Sequence, residues 1–186
     1  MDYIRGRPVP VNSWYLDLLL HDKYWFAEER AYHHTAPVLM VYALHEALRL
    51  IAEEGLEERF ARHVLQSRAV TAGLDALEVE LFADPAYQLP TVLAVRVPEG
   101  VNDARVRSSL LNEFGVEIAG GLGPEAGKMW RIGVMGYSAT QDNMLVLLAG
   151  LETLLARQGY GSASGAAIAA ASAVYADQTP VAASTR

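Results

Sequence analysis

Apolar and polar positions along this chain follow two rhythms. From about 36 to 54, "APVLMVYALHEALRLIAEE" opens on seven consecutive apolar residues, Val38 to Leu44, and then becomes amphipathic, with Glu46, Arg49, Glu53 and Glu54 for solvent. A helix that is apolar all round must be covered on every side, so the first half predicts burial by something large. Thr35 is the expected N-cap, Pro37 fits the first turn, where a missing N–H costs nothing, and Gly55 marks the C-terminus. A second helix is predicted at about 56 to 72, with Leu56, Phe60, Val64 and Leu65 at helical spacing and Glu58–Arg62 as an i,i+4 pair.

The rhythm then shortens. Residues 78 to 82 and 91 to 97 read as strands, with "DPAYQLP" and "PEG" as the turns that follow them. A helix at about 103 to 114 follows Asn102, and strands are expected at 116 to 119 and 129 to 134. A helix at about 141 to 157 follows Thr140, with Asp142 in its first turn. Ahead of all these, prolines 8 and 10 predict an extended segment over residues 1 to 12, and 13 to 25 a short helix or turn. From Gly159 onward alanine and serine dominate, predicting either disorder or a weak helix around 165 to 176. The order of elements is α+β, with antiparallel neighbours where connections are short.

Composition narrows the functions. The chain has 186 residues, 52% of them apolar, which supports one domain with a real core. Fifteen Lys and Arg against 22 Asp and Glu give a net charge of −7 with no basic run, a poor match to nucleic acid. The absence of cysteine excludes disulfides, zinc–thiolate sites and cysteine nucleophiles. No apolar run is long enough to span a bilayer and no secretory signal is visible, so a cytoplasmic location is the expectation.

The candidate chemistry clusters in two places. In "AYHHTAP", residues 31 to 37, the eye goes first to His33 and His34. Adjacent side chains diverge in regular structure and share a metal poorly, and His45–Glu46 lacks the second histidine of a zinc motif. His21 and His63 stand alone in sequence, so ring packing is the favoured reading of the histidines and no metal is expected. Thr35 and Tyr32 could instead donate hydroxyls to a phosphate at the positive end of the helix. Spacing alone favours an ordinary cap with a packed tyrosine and leaves the anion site as the alternative.

The second place is "GGLGPEAGKMWRIGVMG", 120 to 136, where neither the P-loop nor the dinucleotide glycine pattern is met. In a strand here Met129, Arg131 and Gly133 share one face and Trp130, Ile132 and Val134 the other. That sets Arg131 among small and apolar neighbours, suited to bidentate capture of a carboxylate. Pattern alone favours a salt bridge to Glu117 or Glu125.

"YHHTAPVLMVYALHEALRLIAEEGLEERFARH", "LPTVLAVRVPEGV" and "GVEIAGGLGPEAGKMWRIGVMGYSATQDNM" together resemble the C-terminal part of the class V, fold-type I pyridoxal-phosphate aminotransferases, in particular the alanine–glyoxylate and serine–pyruvate group. The resemblance covers about residues 8 to 157. It implies a small C-terminal domain at 55–158, a short mostly antiparallel sheet covered by helices. A long interdomain helix would span 36–54, residues 1–35 would pack on the large domain and the partner subunit, and 159–186 would form an Ala/Ser-rich tail. It further implies a homodimer acting on amino-acid and 2-oxo-acid substrates, with no metal. Tyr32 and Thr35 would bind the phosphate of the neighbouring subunit's pyridoxal 5'-phosphate, and Arg131 the substrate α-carboxylate. The family's Schiff-base lysine belongs to the large domain, and neither Lys23 nor Lys128 matches it. The expectation is therefore a transaminase moving an amino group from alanine or serine to glyoxylate or pyruvate, with these residues inactive alone. The alternative is an assembly module that pairs with a full-length subunit.

Overall fold

The computed structural model describes residues 2–29, 31–161 and 164–177, and these fall into two compact units divided between Glu53 and Glu54.

The first unit is helical. Helix α1 (Asp2–Arg5) is a single turn within the segment predicted to be extended, and Arg5 ties it to α2 through Asp22 at 2.9 Å. Helix α2 (Leu18–Phe26) starts later than predicted because Asp17 caps it, its carboxylate accepting from Leu19 N–H at 2.9 Å. Helix α3 (Val38–Glu54) begins two residues after the expected start. Ahead of Pro37 the α conformation is disfavoured for Ala36, so the first helical bond runs from Val41 N–H to the Pro37 carbonyl. Thr35 is therefore not the cap of this helix, a correction to the sequence reading. The apolar half of α3 is open: Leu39 is 83% exposed and Met40 71%.

The second unit is a three-stranded antiparallel sheet packed under helices. Helix α4 (Leu56–Ala76) precedes β1 (Val92–Arg96), α5 (Asp103–Phe114), β2 (Ala119–Gly120), β3 (Met129–Gly133), α6 (Gln141–Ala156) and α7 (Ala166–Ala176). The sheet order is β1-β3-β2, with β3 central. Residues 78 to 82, predicted as a strand, contribute one bridge from Leu81 to Val95. A positive φ of 57° at Glu78 turns the backbone sharply at the start of that segment. Helix α5 has the predicted limits: Asn102 caps it, and Gly115 ends it in the left-handed conformation at φ 68°.

One face of the sheet, Leu93, Val95, Trp130 and Ile132, is buried against Val70 and Leu74 of α4, Val106 and Leu110 of α5 and Leu147, Leu148 and Leu151 of α6. Gly73 lets α4 meet α6 and α7, since a Cβ there would lie 2.5 Å from Leu148 Cδ1 and 3.1 Å from the Ala167 carbonyl. Of the two readings of the Ala/Ser-rich stretch the helical one holds over Ala166–Ala176, with Ala167 and Ala171 fully buried. Residues 162–163 and 178–186 of that stretch lie outside the described residues. No described helix is long and apolar enough to cross a membrane.

Candidate functional site

In the first unit, Tyr32 and Thr35 lie in the irregular stretch before α3, and their hydroxyls hydrogen-bond to each other. One hydroxyl donates to the other, so the pair has one free donor while that bond stands and two once an incoming anion replaces it. The pair lies just ahead of a helix start, where partial positive charge favours an anion. Tyr32 is exposed, so the pair is open to a ligand. Among the described residues no carboxylate bonds to either hydroxyl, and such a donor set fits a phosphate.

The neighbouring histidines are arranged differently from the sequence expectation. Residues 31 to 37 are not in regular structure, so His33 and His34 need not point apart, and their Nδ1 atoms are 2.8 Å from each other. Helix α2 brings His21 to the same place, its ring centroid 4.4 Å from His33 and 5.0 Å from His34. Trp14 stacks on His33 at 3.9 Å. Burial, with the neighbouring His21 and His33 rings, holds His34 below its ordinary pKa. Sequence reading missed His21 because its partners are 12 and 13 positions away across an irregular loop.

In the second unit, Arg131 sits in the middle of β3, on the face away from the core. Its cross-strand neighbours are Ala94 on β1 and Ala119 on β2, both small, so the guanidinium stands half-buried on an open ledge. Its Nε donates to the Gly120 carbonyl at 3.0 Å, which fixes the plane of the fork. Among the described residues it forms no ion pair, so the expected bridge to Glu117 or Glu125 is absent. Beneath it Trp130 is fully buried, its indole N–H donating to Asp103 Oδ1 at 2.8 Å, while Arg107 holds the same carboxylate at 2.7 Å. The Arg107 hydrogen bond first, and the Trp130 bond with it, keep Asp103 below the usual carboxylate range.

The loop leaving β3 is held from α4. Arg62 donates from Nη1 to the carbonyls of Gly136 at 3.0 Å and Ala139 at 2.9 Å, and its other edge grips Glu54 at 2.5 and 3.1 Å. His63 Nε2 accepts from Gly136 N–H at 3.0 Å. Burial first, then the charges of Arg62 and Arg59, push the His63 pKa down, and Glu54 opposes them. The expected Glu58–Arg62 pair is thus replaced by a clamp that reaches more than 70 residues along the chain.

The chain is 47% identical over 166 residues to the (S)-ureidoglycine–glyoxylate transaminase of Bacillus subtilis, covering 89% of this chain and 40% of that one. It is 42% identical over 144 residues to the alanine–glyoxylate aminotransferase of Callithrix jacchus, covering 76% of this chain and 35% of the relative. Among solved structures, the ureidoglycine–glyoxylate aminotransferase of Bacillus subtilis superposes with a TM-score of 0.85 at 46% identity, over 95% of this chain and 45% of that one. No protein-family model matches the chain. These relatives and the shared fold place the chain in a class: pyridoxal-phosphate-dependent aminotransferases of class V, fold type I. The chain belongs to that family, matching a C-terminal portion of it, and within it to the alanine–glyoxylate group. It spans about two fifths of the length of the curated relatives it matches.

Proposed function

We propose that the whole protein is a cytoplasmic, homodimeric, pyridoxal-phosphate-dependent aminotransferase that moves an amino group from alanine or serine to glyoxylate or pyruvate. In this reading Arg131 holds the α-carboxylate of both the amino acid and the oxo acid with its planar fork. The Tyr32 and Thr35 hydroxyls donate to the phosphate of the cofactor bound in the neighbouring subunit. The bound cofactor supplies the electron sink for the transfer, and what these residues contribute is position. The observation that carries the reading is the half-buried guanidinium of Arg131, oriented by the Gly120 carbonyl and without a carboxylate of its own among the described residues.

The exposed apolar half of α3 supports the dimer, since an apolar surface of this kind marks contact with another protein surface. Neither Lys23 nor Lys128 serves as the family's cofactor lysine, and these 186 residues on their own do not transaminate. A second amino donor, (S)-ureidoglycine, is supported by the 47% identity to a relative named for it.

The test is an enzyme joining this chain to the large domain of the Bacillus subtilis relative. Arg131→Ala should raise the KM for glyoxylate about tenfold to hundredfold, the loss of one charged, hydrogen-bonded contact. Thr35→Val should weaken cofactor retention and leave the glyoxylate KM unchanged. Equal parameters for all three proteins would overturn both assignments.

A further inference from the structure

We propose that His21, His33 and His34 bind one divalent transition-metal ion of the zinc class through their Nδ1 atoms. One ligand nitrogen from each ring lies within 4.8 Å of the others, in a site that contains no ion. The backbone sets which nitrogens are available. His21 Nε2 lies 2.7 Å from the Tyr15 carbonyl and His33 Nε2 lies 3.2 Å from the Trp14 carbonyl. A carbonyl can only accept, so each Nε2 carries the proton, and in the neutral ring each Nδ1 keeps its lone pair. This is the arrangement metal-ligating histidines use, the far N–H held by a backbone carbonyl so that the near nitrogen faces the ion.

A second observation is independent of that one. His21 Nδ1 is buried and has no hydrogen-bond partner among the described residues. A buried lone pair without a partner is costly. Such a cost is retained where a ligand supplies what the protein does not. His33 Nδ1 is already engaged, accepting from His34 Nδ1–H at 2.8 Å. On metal binding that proton moves from Nδ1 to Nε2 of His34, so the ring stays neutral and no proton is released overall. The movement required is small. Ligands about 2.1 Å from a shared tetrahedral zinc lie about 3.4 Å from one another. The 2.8 Å pair therefore opens slightly, and ligand nitrogens lying within 4.8 Å of one another close by at most about 1.4 Å, within reach of side-chain rotation. Water completes the fourth position.

The aromatic wall favours the same ion. Trp14 lies flat on His33, Trp25 is 5.3 Å from His21 and Tyr24 is 5.6 Å from His34. Imidazole ligands with no carboxylate suit zinc, copper or nickel and discriminate against magnesium and calcium.

The experiment uses the full chain freed of metal with a chelator and titrated with Zn²⁺ against a chromophoric competitor. The expected result is one submicromolar zinc per chain. His21→Gln and His34→Gln should each weaken it about tenfold or more, while His45→Gln, on exposed α3, should not. Because a variant could misfold, nitrogen-15 NMR of the histidine rings in the unmutated chain gives a second reading. Zinc should move the Nδ1 resonances of His21, His33 and His34. Failure to retain zinc, retention that His21→Gln leaves intact, or zinc shifts confined to Nε2 or to other histidines would each overturn the site.

Discussion

At the scale of the residue, alternation sets the face that a strand side chain occupies, while register sets its partners. Arg131 was legible because period-two alternation fixed which face it occupies, and the structure puts alanines opposite it on both neighbouring strands. Its freedom from Glu117 and Glu125 was not legible, since register decides who stands opposite and a single sequence does not state register. Thr35 was read as a cap, and it failed as one because Pro37 restrains the residue before it. His63 was the residue most underread. Its neutral ring accepts Gly136 N–H, and its pKa is held low by burial and by Arg62 and Arg59. A histidine whose folded pKa lies below its unfolded value of about 6.5 adds stability that is complete above that pH. The contribution is lost as the pH falls from there through the folded value. Thermal unfolding followed from pH 8 to pH 5 should show this loss, and it should be smaller in His63→Gln. An identical pH dependence in the two proteins would refute the assignment.

At the scale of the element, local signals were reliable wherever cap and stop sit next to the helix. Asn102 and Gly115 gave α5 its limits, and Thr140 caps α6, accepting from Asn143 N–H at 3.3 Å. Helix α7 shows the opposite case. Its alanine-rich sequence has little apolar bulk of its own, and its N-terminus is held from α6. Glu152 is 4% exposed, and its Oε1 accepts from the backbone N–H groups of Ser164, Gly165 and Ala166 at 2.9, 2.8 and 3.1 Å. A carboxylate at a helix N-terminus meets the unpaired N–H groups and the positive end of the dipole together. A lone glutamate inside the apolar run of α6 was a visible sign that something polar must meet it there, but its partners, 12 to 14 residues on, were not visible. Glu152→Ala should lower the unfolding free energy by about 2 kcal/mol or more and raise amide exchange across α7, with Glu152→Gln intermediate. Unchanged exchange in α7 would show that packing of Ala167 and Ala171 holds the helix without the carboxylate.

At the scale of the whole molecule, the seven-residue apolar run of α3 predicted a cover, and the structure shows those side chains exposed. An apolar surface of this kind marks contact with another protein surface. The second unit, by contrast, carries its own core from Ala69 to Ala171. Periodicity gave its helices α4 to α6 and strands β1 and β3, while residues 78 to 82 form only a bridge and composition left α7 open. On the function proposed above, this chain supplies the carboxylate-binding arginine of a glyoxylate transaminase. The most direct measurement replaces the matched portion of the Bacillus subtilis relative with these residues and follows glyoxylate consumption with alanine, serine or (S)-ureidoglycine as donor. The account predicts turnover with at least one donor, abolished when this chain is left out. A folded, cofactor-loaded chimera that consumes glyoxylate with none of the three would contradict it.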